Sequence, residues 1–156
     1  MALRDRFNET MKDAMRAKAA KRLSTVRLIL AAVKDRDIAS RTEASREGIS
    51  DDEILALLAK MIKQREESAA TYEAGGRPEL AAGEREEIAI IREFMPRQLS
   101  PEETRAAVAE AIAATGATSL KEMGKVMAAL KERHAGSMDF AKVGAQVKEL
   151  LATPKT

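Results

Sequence analysis

The chain has 156 residues, of which 45% are hydrophobic and 33% charged, with a formal net charge of +2. That balance excludes a disordered chain, which needs few apolar residues, and leaves room for one domain or two small ones. The absence of Cys excludes a disulfide framework, a thiol nucleophile and a thiolate metal site.

The spacing of apolar residues predicts helix almost throughout. Leu3, Phe7, Met11, Ala14 and Met15 repeat at helical intervals. Leu23, Val26, Leu30, Val33 and Asp37 continue the period in a second helix. No Gly or Pro separates the two, and the break is expected near Lys18–Lys21. Ile49-Ser50-Asp51-Asp52-Glu53-Ile54 reads as a capping box with an Ile49/Ile54 hydrophobic staple. It opens a helix whose inner face is Ile54, Leu57, Leu58, Met61 and Ile62, then Arg65, Ala69 and Tyr72, and which ends at Gly75-Gly76. Pro78 suits the first turn of a fourth helix, with Leu80, Ile88, Ile91, Phe94 and Met95 inward, and Pro96 stops it.

Pro96-Arg97-Gln98-Leu99 is the expected domain boundary, giving an N-terminal helical domain over 1–96 and a three-helix bundle over 97–152. Ser100-Pro101-Glu102-Glu103 is a capping box with Pro at the first helical position. Val108, Ala111 and Ile112 face inward, and Gly116 caps the end. Ser119-Leu120-Lys121-Glu122 predicts a second box, before Met123, Val126, Met127 and Leu130 on one face. Gly136 suits a left-handed cap there. Asp139 caps the last helix between Met138 and Val143, and Val143, Val147, Leu150 and Leu151 face inward. No strand-like alternation occurs, so the fold class is all-α.

Charge is uneven along the chain. Residues 1–36 hold ten Lys/Arg against four acids, 37–103 nine against sixteen, and 104–156 eight against five. Basic ends and an acidic middle fit either solvated helix faces or basic ends that engage a polyanion. Gly124, inside a helix, implies close approach of another helix or of a ligand backbone, since both need a missing Cβ. Lys121 and Lys125, one helical turn apart, can straddle phosphates or form an ordinary wet surface. Lys131, Arg133 and His134 fall in the last turn, where the helix dipole favours cations.

One His cannot supply a His-based metal cluster, so neither a metal nor another cofactor is expected. Asp51-Asp52-Glu53 and Glu84–Glu87 read as helix-start and solvent-face charges. No nucleophile elbow, phosphate loop or dinucleotide fingerprint appears, and no catalytic residue is assigned. The apolar runs fall short of the roughly 18 residues of a membrane span. Met1–Arg6 lacks a secretory apolar stretch, and Asp5, Glu9 and Asp13 weigh against a mitochondrial peptide. The expected location is the cytoplasm.

Met95-Pro96-Arg97-Gln98-Leu99-Ser100-Pro101-Glu102-Glu103, Gly116-Ala117-Thr118-Ser119 and Met123-Gly124-Lys125-Val126-Met127 together resemble the GatB/YqeY family. Leu3, Met11, Met15, Leu23, Val26-Arg27 and Ile62-Lys63-Gln64-Arg65-Glu66-Glu67-Ser68 resemble its stand-alone YqeY branch. The family pattern carries a Pro-Lys segment and a Gly-(Lys/Arg)-Ala-Asp-Gly turn before the last helix. Here Glu132–Phe140 keeps Gly136 and Asp139 without that Pro or the second Gly. The resemblance implies that residues 97–152 are similar to the tail domain of the amidotransferase B subunit, which serves tRNA recognition. The implied function is a non-catalytic, tRNA-binding helper. Its candidate nucleic-acid-binding residues are Lys121, Gly124, Lys125, Lys131 and Arg133. A protein–protein adaptor is the alternative; a carbon–nitrogen ligase using glutamine follows only from the family name.

Overall fold

The computed structural model describes residues 2–42 and 47–152. Among these the chain is all-α: α1 Leu3–Ala17, α2 Ala20–Ala39, α3 Asp51–Ala74, α4 Pro78–Arg92, α5 Pro101–Thr115, α6 Met123–His134 and α7 Phe140–Ala152, with a 3₁₀ turn at Leu120–Glu122 and no strand. The helices fall into two compact units, Met1–Met95 and Pro96–Thr156.

In the first unit α1 packs with α2 and α3 with α4 as two helical hairpins, and α2 also meets α4. The α1–α2 break lies within the expected window, and its device is unusual. Lys18 takes the left-handed conformation at φ 55°. Its N–H reaches the Met15 carbonyl at 3.2 Å and the Ala19 N–H reaches Ala14 at 2.9 Å, the two bonds of a Schellman motif. A residue with a Cβ carries a penalty there that Gly would not. Gly76, at φ 73°, closes α3 by the same pair of bonds, from Gly76 to Glu73 and from Arg77 to Tyr72.

Phe7, Ile29, Ile54, Leu58 and Ile91 are fully enclosed in this unit's core, where Phe7 meets the Phe94 ring edge-on at 4.9 Å. The Arg6 guanidinium stacks over Phe94 and donates to the Glu93 and Phe94 carbonyls, which the end of α4 leaves unpaired. The inner stripe of α2 differs from the expected one. Thr25 and Ile29 are buried, whereas Leu23 and Leu30 are half-buried. Thr25 tolerates burial because its hydroxyl donates to the Lys21 carbonyl at 2.8 Å. Leu80 is 40% exposed, and Ala81 fills the inward place expected for it.

Polar ties fix the helix ends. Arg4 donates to both Asp37 carboxylate oxygens, at 2.8 and 2.7 Å, and to the Ile49 carbonyl at 2.9 Å. Asp37 also accepts the Ile49 N–H at 2.8 Å. One ion pair thus joins the start of α1, the end of α2 and the segment leading into α3. The Arg4 hydrogen bonds, with the Ile49 N–H and the Arg4 charge adding, hold the Asp37 carboxyl down at about 2. Gly48 leaves the room: a Cβ there would lie 2.5 Å from Arg4 Nη2 and 2.7 Å from Asp37 Oδ1. Glu87 is a second tie. It is not the solvent-face charge expected, because on α4 it meets both Lys21 of α2 and Arg65 of α3, at 3.4 and 3.0 Å.

The second unit packs α5, α6 and α7 around Val108, Val126, Leu130 and Val147. The Ser50 and Ser100 boxes form as expected, each with the reciprocal Glu bond. Gly116 caps α5 at φ 68°, and the Asp139 carboxylate accepts the Ala141 N–H at 3.1 Å. The box expected at Ser119 does not form. The 3₁₀ turn intervenes, Ser119 caps nothing, and Glu122 instead accepts from the backbone and hydroxyl of Thr118. Helix α6 leaves through a type II turn, with Ala135 at φ −53°, Gly136 at φ 77° and the Ser137 N–H bonded to the His134 carbonyl. That turn grips the preceding segment: Gln98 Nε2 donates to the Gly136 carbonyl and the Leu99 N–H to Ser137. Leu150, expected inward, is 51% exposed, and Ala117 of the α5–α6 loop is buried.

Three outcomes follow from these contacts. Lys18→Gly should relieve the left-handed penalty and stabilise the protein by about 1 kcal/mol, read as a higher thermal midpoint. Ser119→Ala should stay within about 0.5 kcal/mol of the parent, while Ser100→Ala loses about 1 kcal/mol; chemical denaturation of the two variants separates a formed box from an absent one. Asp37→Asn should lower stability at neutral pH by about 2 kcal/mol. A carboxyl whose folded pKa is depressed gives stability that is present above its unfolded value and lost as pH falls through the folded one. The gap between parent and Asp37→Asn should therefore narrow between about pH 4 and pH 2, as followed by urea midpoints across that range.

Candidate nucleic-acid interface

The five residues singled out in the sequence all lie on α6 or the 3₁₀ turn before it, and all are exposed. They do not share one face. With about 100° of rotation per residue, Lys125 points opposite the Val126–Leu130 core stripe, and Lys121 precedes it by one turn. Arg133 lies on one flank of the core, where its guanidinium meets Glu110 of α5 at 3.1 Å. Lys131 lies on the other flank, with its ammonium 6.0 Å from the centre of the Phe140 ring of α7. Two of the four cations are thus engaged within the unit. Among the described residues, Lys121 and Lys125 have no ion-pair partner.

Gly124 separates the two expectations raised for it. A Cβ at this position would meet nothing within 4 Å, so close packing of another helix is not its role. The close approach lies at Gly144 of α7, where a Cβ would touch the Met123 and Met127 methyls at 3.7 and 3.8 Å. Nothing in the composition distinguishes the two glycines. Their neighbours do, since Gly144 follows the core residue Val143 on its inner side.

Gly124 and Lys125 stand in the first turn of α6, and Lys121 stands just before it. The 3₁₀ turn runs straight into α6, so the Met123 N–H is already bonded to the Leu120 carbonyl, and what this end offers an anion is the positive end of the helix dipole. Such an end favours phosphate, and a missing side chain leaves the backbone open to it. Glu122, the nearest acid, is held back by Thr118. Glu132 lies two turns further along the Lys125 stripe and closes the patch at that end.

The positive character belongs to this end of one helix and not to the bundle as a whole. Residues 97–152 hold eight Lys/Arg against seven acids. Arg97 is taken by Glu103 in a bidentate pair, and that pair with the Ser100 backbone N–H holds the Glu103 carboxyl down at about 2. In the second unit Phe140 is the one Phe, Tyr or Trp ring among the described residues, and it is half-buried under Lys131.

Several hydroxyls serve the structure. Ser50 and Ser100 cap helices, and Thr25, Thr71 and Thr115 bond back to carbonyls of their own helices. Among the described residues no helix is long and apolar enough to cross a membrane, and no three His, Cys, Asp or Glu side chains converge as for a metal.

Comparison with curated proteins gives no match. The family model described as Yqey-like protein matches residues 4–151. That match begins at Arg4, the residue that clamps the first unit, and ends at Leu151 on the inner face of α7. The chain belongs to the YqeY-like protein family.

Proposed function

We propose that this protein is a non-catalytic, cytoplasmic helper that binds tRNA, organised as an N-terminal helical domain over 1–96 and an RNA-facing bundle over 97–152. The observation that carries the reading is the start of α6. There, two unpaired lysines flank a glycine whose Cβ would meet nothing, at the positive end of the helix dipole. The resemblance of residues 97–152 to the amidotransferase tail domain supports the choice of tRNA among polyanions. Lys131 and Arg133 form the margins of the contact and can exchange their present partners for phosphate. Without aromatic platforms, recognition runs through backbone phosphates and shape, so different tRNAs bind alike. A carbon–nitrogen ligase would need a nucleophile and a base in contact, and the hydroxyls described above serve as caps and back-bonds instead.

Filter binding of bulk tRNA at several salt concentrations tests this. Affinity should fall steeply with salt. Lys121→Ala with Lys125→Ala should weaken binding to unrelated tRNAs by similar factors and flatten the salt slope by up to about two. Thermal stability should be little changed, since both positions are exposed. A double variant that binds as the parent does at every salt concentration removes this face from consideration.

A further inference from the structure

Helix α7 runs back along α6, and three contacts fix the register between them. Lys131 stands over the Phe140 ring, and Gly144 faces the Met123 and Met127 methyls. The 3₁₀ turn at Leu120–Glu122 also packs on α7. Each step forward along α7 is therefore a step back along α6. The residue one turn past Gly144 stands beside the 3₁₀ turn, and that residue is Lys148.

Its direction follows from the same contacts. Gly144 turns toward α6, and Lys148 lies only about 40° from it round α7 at 100° per residue. On α6, Met123 and Met127 turn toward α7, and Gly124 and Lys131 lie next to them on the side away from Val126 and Leu130. Lys148 lies correspondingly on the side of Gly144 away from Val143. Lys148, Gly124 and Lys131 thus share the outer seam between the two helices, with Lys121 just ahead of it and Lys125 beyond Gly124.

The cations of this seam are not neutralised. Lys148 is exposed and, like Lys121 and Lys125, has no ion-pair partner among the described residues. The nearest acids are engaged or turned elsewhere. Glu122 accepts from Thr118, and Asp139 caps α7 at the Ala141 N–H. Glu149 is rotated about 140° from Gly144, away from α6. Glu132 shares the Lys125 stripe on α6, so the basic surface continues toward α7 and not along α6.

We propose that a nucleic-acid strand crosses from α6 to α7 at this end of the bundle and that Lys148 binds its phosphates. The inference rests on the RNA reading and adds to it a contact from a second helix and a path. The strand runs from Lys125 over Gly124, where no side chain stands in the way, to Lys148. Packed helices lie about 8–10 Å apart, so lysines of the two helices hold one strand at separate phosphates. Ammonium groups act there as point charges and accept any base sequence. Arg133, paired with Glu110 on the α5 side of α6, lies at the margin away from this path.

The test is filter binding of bulk tRNA to the full chain across a range of salt. Lys148→Ala should weaken binding by about five-fold near 0.15 M salt and lower the salt slope by about one, as for one lost phosphate contact. Lys148→Arg should restore most of both. Lys142→Ala is the control: it removes the same charge from α7, about 160° round from Gly144, and should leave affinity and slope unchanged. Arg133→Ala should cost less than Lys148→Ala. All these positions are exposed, so thermal midpoints should stay at the parent's. Equal losses for Lys148→Ala and Lys142→Ala overturn the proposal, because net charge and not a path then sets affinity. Poly-glutamate that displaces tRNA at equal charge overturns it as well, since the site would then take carboxylates. Parent-like binding by Lys148→Ala overturns it too, and the RNA reading survives if Lys121→Ala with Lys125→Ala still weakens binding. A parent protein that binds no tRNA at any salt concentration overturns both.

Discussion

The ion pair between Arg4 and Asp37 is the constraint on which the first unit depends. It links residues 33 positions apart and adds both backbone groups of Ile49. Three helix termini are thereby fixed at one place. The placement of Ile49 sets the Ile49–Ile54 staple, and the staple sets where the long helix α3 begins. An exposed pair of this kind would contribute little. This one is partly enclosed, bidentate and joined to the backbone, so its geometry is overdetermined. Gly48 is the condition for it, because any side chain there would intrude on the guanidinium. Glu87 does similar work between α2, α3 and α4, using two cations from different helices.

Much of the fold was legible in the sequence, because caps act locally. Ser50 with Glu53, Ser100 with Glu103, Asp139 and Gly116 each settle a helix end with groups three or four residues away. The failures have a common cause. Ser119 has the spacing of a box, but Thr118 gives Glu122 a pair of donors instead, and the chain takes a 3₁₀ turn first. Leu150 has the period of an inward residue, yet a three-helix unit covers only part of α7's apolar arc. Lys18 gives no signal in composition, since its left-handed turn is imposed by the packing of α1 on α2. Glu87 looks like one of a run of surface acids until Arg65 and Lys21 arrive from other helices.

The candidate site was less legible, for a physical reason. Sequence spacing tells which residues share a helix, but not which are already engaged by neighbours. Lys121 and Lys125 differ from Lys131 and Arg133 only in what stands opposite them. The two glycines of the second unit's core helices are alike in the sequence and opposite in role. On α2 the sequence likewise shows one imperfect stripe, where Thr25 and Ile29 join the buried side while Leu28 and Ile38 are left exposed.

The turn at Gly136 and Ser137 bears on how this unit can travel between genes. A module boundary drawn at the first helix would fall at Ser100. The carbonyls of Gly136 and Ser137, however, are satisfied by Gln98 and by the backbone of Leu99, which lie ahead of it. Buried polar groups need partners wherever they are carried. Any longer polypeptide that borrows the three helices must therefore borrow the residues in front of them as well. The smallest exchangeable cassette is set by two hydrogen bonds to a turn and not by the ends of the helices.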